Sequence, residues 1–177
     1  MRVLILDITA KTGGYGYSNY YELIGKLQSG LEIYINSYHY DLKEYIGRHV
    51  EMLLCVLRSP YLERGMKPQP FLPGEYYSLE LIDELLKEKG QSPGTSEREL
   101  ILTGEYIDYY MIPEEWTPLI TPRSFQLLLK EPSALKTEDG IFLLSPVHLR
   151  KRIPIEQFPQ EVSIGTGCID LAAWHPF

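Results

Sequence analysis

The sequence predicts a mainly β, β-rich α+β fold: a curved antiparallel sheet closing into a small barrel, with two short helices set in insertions. Three observations lead there. Strand-like segments outnumber helical ones. They do not alternate regularly with helices, as a doubly wound α/β sheet requires. Glycines interrupt several of them, and a glycine inside a strand marks a bulge or tight curvature. An OB-like five-stranded barrel is one concrete version of this architecture.

The elements follow in chain order. Residues 2–9, "RVLILDIT", are nearly continuously apolar and predict a strand buried on both faces. The mixed segment 20–27 and the alternating segment 31–38 predict a hairpin turned by Gln28-Ser29-Gly30. In 31–38, Leu31, Ile33 and Ile35 point one way and Glu32, Tyr34 and Asn36 the other, the period of a half-buried strand. In 49–58, Val50, Met52, Leu54 and Val56 share one face, while Leu53, Cys55 and Leu57 share the other. Two apolar faces place that strand centrally, and Gly47 relaxes the backbone before it.

An excursion over 60–98 follows. Prolines and glycines make 60–75 a loop. Residues 78–90 carry the clearest helical signature, with Ser78 as N-cap, a stripe of Leu79, Ile82, Leu85 and Leu86, and Gly90 as C-cap. Residues 91–98 read as a second loop. The segment 99–112 predicts a strand with a bulge at Gly104, and 121–132 a short helix capped by Thr121 and stopped by Pro132. Residues 135–144 predict a hairpin around Glu138-Asp139-Gly140, and 161–174 one strongly curved strand containing Gly165 and Gly167. Seven or eight strands result, in a single domain over 1–177.

Composition narrows the function. The net charge is −7, concentrated in residues 61–132, where seven Lys/Arg face thirteen Asp/Glu. A generic nucleic-acid binder carries a basic surplus, because phosphate contacts need Lys and Arg. No apolar run approaches the ~20 residues of a membrane span. Asp7 interrupts the N-terminal apolar run, which argues against a secretory leader. Two isolated cysteines, Cys55 and Cys168, form no disulfide framework and read as buried thiols of a cytoplasmic protein.

No motif is diagnostic. In "KTGGYGYSNYY" (11–21) the lysine precedes the glycines, which rules out a Walker loop, and position 19 is Asn where a dinucleotide fingerprint needs glycine. Asp7, Asp108 and Asp170 fall in strand-like runs and are metal-ligand candidates for an enzyme acting on a phosphorylated or sugar substrate, but no D-x-D, H-x-H or HExxH spacing supports them. No nucleophile elbow is present. Catalytic residues, a metal and a cofactor are accordingly not assigned.

Tyrosine is the unusual feature. Eight of the fourteen tyrosines lie within 15–45. A tyrosine on the outer face of a barrel stacks bases or sugars, or packs in a protein interface; it is also a favoured strand residue. Tyr34 and Tyr38 are the candidate ligand-binding tyrosines, with Arg48 and the basic cluster Arg150, Lys151 and Arg152 as candidate anion contacts. The expected function is a non-catalytic β-barrel binding or assembly module. Its ligand is a protein partner, a second copy of the chain, or single-stranded nucleic acid. The alternative is the small metal-assisted enzyme.

Overall fold

A computed structural model describes residues 1–12, 19–58, 100–107, 109–120, 129, 132–144, 161–166 and 168–177. Among the described residues there are nine strands: β1 (Arg2–Lys11), β2 (Tyr20–Lys26), β3 (Glu32–Ser37), β4 (His49–Arg58), β5 (Leu100–Ile107), β6 (Ser133–Thr137), β7 (Gly140–Leu144), β8 (Glu161–Thr166) and β9 (Cys168–Pro176). Short 3-10 helices occupy Lys43–Tyr45 and Thr117–Leu119. The expected helix at 78–90 and the loops at 60–75 and 91–98 lie outside the described residues, as does the expected helix at 121–132 apart from Leu129 and Pro132.

The predicted barrel is there, and it has five strands. The sheet runs β1-β2-β3-β9-β4, and β4 pairs back onto β1 through Arg2–Glu51, Val3–Val50 and Leu4–His49. From the C-terminal half of β4 the sheet continues outward as β7-β6-β5-β8. Not every pairing is antiparallel: β3–β9 and β4–β7 are parallel.

β4 explains why the sheet can branch. Its N-terminal half pairs with β1, its C-terminal half with β7, and nearly its whole length with β9. The two apolar faces read from its sequence serve two cores. Val50, Met52, Leu54 and Val56 join the barrel core with Val3, Ile5, Leu23, Ile33, Ile35 and Phe142. Leu53 and Cys55 face a second core with Trp116, Ile120, Leu129, Ala134, Leu143, Ala172 and Ala173. In β9, Leu171 opposes Leu54 while Ala173 opposes Leu53, so Ala172 is the extra residue of a bulge. That bulge puts Ala172 and Ala173 together in the second core.

Several expectations are corrected. β1 is not buried on both faces: Val3, Ile5 and Ile8 are buried, Leu4 and Leu6 half-buried, and Asp7 exposed. A register shift between Ile5 and Asp7 changes the alternation, so Ile8 rather than Asp7 turns inward. The segment 161–174 is two strands, with β8 paired to β5 and β9 closing the barrel. Gly104 is not a bulge, because β5–β8 pairing runs through it without a shift. It is needed for a close approach, since a Cβ there would run into the Lys136 carbonyl on β6. The hairpins at 28–30 and 138–140 form as predicted. Gly30 adopts φ 93° and its N–H donates to the Leu27 carbonyl (3.0 Å).

Candidate functional site

The outer face of β1, β2 and β3 is built by simple alternation. Leu23, Ile33 and Ile35 point into the barrel, so their neighbours Tyr20, Glu22, Ile24 and Lys26 on β2, and Glu32, Tyr34 and Asn36 on β3, point outward. Register aligns them in rows: Lys26 with Glu32, Ile24 with Tyr34, and Glu22 with Asn36. The next row is aromatic. Tyr38, just past β3, stacks on Tyr20 at 5.4 Å between ring centroids and a 32° tilt. Tyr38 is 47 % exposed, and Tyr20 and Tyr34 are half-buried.

A polar row lies beneath this pair. Glu22 is buried and ion-pairs with Lys11 on β1 (3.3 Å). Asn36 Nδ2 donates to Asp170 Oδ1 on β9 (3.2 Å), and Asp170 is also buried. The exposed Asp7 sits on β1 beside Ile24. The face therefore presents Asp7, Glu22, Glu32 and Asp170 against Lys11 and Lys26.

The remaining described tyrosines of the 15–45 cluster do other work. Tyr21, Tyr40 and Tyr45 pack against the barrel core. Tyr40 and Tyr45 meet the Trp174 ring edge-on, at 6.4 and 4.8 Å. The Tyr40 hydroxyl donates to the Leu119 carbonyl (2.7 Å), which ties the 109–120 segment to the barrel end. Tyr15 and Tyr17 lie outside the described residues.

The other expected site residues are placed as follows. Arg48 is exposed, and its backbone joins β4 to β1 by accepting from Ile5 N–H (3.0 Å). β1 and β2 stand between it and Tyr34. Arg150, Lys151 and Arg152 lie outside the described residues, as does Asp108. Asp7 and Asp170 occupy β1 and β9, with β2 and β3 between them. Among the described residues, no three His, Cys, Asp or Glu side chains are grouped to hold a metal ion. Among the same residues, no helix is long and apolar enough to cross a membrane.

Tyr20, one of the eight clustered tyrosines, completes the aromatic pair; the mixed pattern of 20–27 leaves open which of its side chains face outward. One contact escapes the sequence altogether. Asp139, at the β6–β7 turn, accepts from both Ser29 N–H and Ser29 Oγ (2.7 Å each) and so holds the β2–β3 turn. Ser29 and Asp139 are 110 positions apart, and no local pattern announces such a contact.

The chain matches no protein-family model, no curated protein and no solved structure.

Proposed function

We propose that this chain is a non-catalytic binding or assembly module that takes a protein partner on the outer face of β2 and β3. The observation that carries the reading is the Tyr20–Tyr38 pair, stacked outside the barrel with Tyr38 47 % exposed. Tyrosine offers an apolar ring and a polar tip, and it is enriched where proteins meet. The surrounding charge supports a partner without phosphates, because four carboxylates face two lysines on this surface. A cytoplasmic setting belongs to the same reading, and the buried cysteine Cys55 is consistent with it.

One observation favours single-stranded nucleic acid instead. The order β1-β2-β3-β9-β4-β1, with β3 and β9 parallel, is compatible with an OB-like barrel. OB barrels bind oligonucleotides on the face of their second and third strands. Stacked tyrosines suit bases as well as side chains.

A photo-crosslinking residue in place of Tyr38 discriminates the two. A discrete protein adduct is expected from position 38 and not from Glu44, an exposed control position on the 3-10 helix. Equal adducts from both positions, or none from 38, would overturn the protein reading. Saturable binding of mixed single-stranded DNA or RNA at roughly ten micromolar in low salt, lost on Tyr38→Ala, would replace it with the nucleic-acid one.

A further inference from the structure

At the opposite end of the same strands, below the β2–β3 turn, lies a half-open cleft of about 450 Å³. Its lining is Arg2 and Leu4 from β1, Lys26 from β2, Leu27, Gln28 and Gly30 from the turn, and His49 from β4. We propose that this cleft binds a small phosphorylated molecule, its phosphate held by Arg2, Lys26 and His49 and its organic part set against Leu4 and Leu27.

Charge is the first argument. The protein is acidic overall, with a net charge of −7, yet the cleft lining contains two cations, a histidine and no carboxylate. Strand register creates this concentration. Leu4 pairs with Lys26 on one side and with His49 on the other, so β1 brings a lysine and a histidine from distant parts of the sequence into one row.

The second argument is the state of those cations. Lys11, Lys43 and Lys136 each have a carboxylate oxygen within 3.9 Å. Arg2 and Lys26 form no such ion pair among the described residues. The nearby acids have other partners: Glu51, opposite Arg2 across the β1–β4 pairing, lies 3.6 Å from the Met1 amino group, and Asp139 holds Ser29. Glu32 stands opposite Lys26 in register, and it is exposed.

Arg2 supplies the third argument. Its guanidinium lies over the Phe177 ring, 4.0 Å from the centroid. That contact occupies the face of the group and leaves its N–H edge, the part that recognises a phosphate oxygen pair, uncommitted. Its Nε is shielded from solvent and finds no acceptor among the described residues. A shielded, unpaired donor of a charged group is costly, so this guanidinium gains from any acceptor brought to its edge.

Size and rigidity fix the class of ligand. A volume of about 450 Å³ falls in the range of small-molecule sites and exceeds what a bare phosphate fills. The turn that supplies Gln28 and Gly30 is pinned by the paired hydrogen bonds of Ser29 to Asp139. Its geometry is therefore set before a ligand arrives.

Amide chemical-shift titration of the full chain with phenyl phosphate, inorganic phosphate and benzoate tests the proposal. Phenyl phosphate is expected to give saturable shifts centred on Arg2, Leu4, Lys26, Gln28, Gly30 and His49, with inorganic phosphate weaker at the same amides. The double variant Lys26→Gln/His49→Gln is expected to bind phenyl phosphate at least about tenfold more weakly. Its spectrum away from the cleft reports that the fold is intact, and Gln28→Ala provides a second, neutral probe of the same wall. The absence of saturation at about 10 mM phenyl phosphate, or equal affinity in the double variant, would overturn the site. Benzoate binding as tightly as phenyl phosphate would overturn the phosphate assignment.

Discussion

Gly25 shows how closely the barrel interior is filled. It faces inward on β2, and a Cβ there would stand 2.6 Å from Val3 Cγ1 and 3.1 Å from Ile35 Cδ1. Both neighbours are wholly buried β-branched side chains with few alternative rotamers. Gly25→Ala is therefore expected to destabilise the fold by about 1–3 kcal/mol, the usual cost of overpacking, although the lower entropy alanine gives the unfolded chain works in the opposite direction. A denaturant midpoint equal to or above that of the parent would show that the interior has room to spare. Tyr110 carries a second residue-scale prediction. Burial, and then the Glu115 carboxylate, raise its pKa above the ordinary 10.0. The folded state thus keeps the phenol proton longer than the unfolded chain does. The resulting stabilisation is complete below pH 10 and declines as the pH rises from there towards the folded value. Tyr110→Phe keeps the packing and removes the proton. The fall in stability above pH 10 should be shallower in that variant than in the parent, measured by urea titration at a series of pH values.

Among the elements, the β2–β3 and β6–β7 turns depend on each other. Asp139 gives both carboxylate oxygens to Ser29, while Thr137 Oγ1 accepts from Asp139 N–H (3.2 Å) and donates to the Gly140 carbonyl (3.1 Å). Asp139→Ala should cost about 1 kcal/mol, because the contact is exposed and water replaces part of it. The informative readout is faster hydrogen exchange at Ser29, with the amides inside β2 and β3 unchanged. Protection lost along the whole hairpin would show that the contact holds more than the turn. The elements also divide into those legible in the sequence and those not. Residues 31–38 and 49–58 were legible because period-two patterning states directly which face is buried. The two turns were legible because Gly30 and Gly140 adopt φ values, 93° and 133°, that favour glycine. The continuous apolar run of β1 misled, because nothing local reports that a bulge at Leu6 exposes Asp7. The division of 161–174 between two neighbours was equally hidden, since it is decided by β5 and β4 rather than by the segment itself. Tyr34 and Tyr38 could be picked out by alternation, whereas Arg2, Lys26 and His49 are single residues that only strand register brings together.

For the whole molecule, closure of the barrel rests on its longest-range pairings. β1, β2 and β3 follow one another as an antiparallel meander. Closure requires β9 to insert between β3 and β4, joining Asn36 to Asp170 across 134 positions. Loop closure over such distances is entropically costly, so what repays it must be burial. β4 meets that need: Val50, Met52, Leu54 and Cys55 are wholly buried, and its two faces serve both cores. The barrel and the outer sheet therefore share one strand, and neither can lose it without exposing apolar surface of the other. The amides of Met52–Val56 are expected to be the slowest to exchange among the described residues, opening only with the global transition and showing the full dependence on denaturant. If the outer sheet were instead an independently stable addition, β5 and β6 would exchange through a separate, smaller opening that leaves β4 protected. Native-state exchange at increasing denaturant separates the two outcomes. A single merging of β4, β6, β7 and β9 into one isotherm is the result that shared burial on β4 requires.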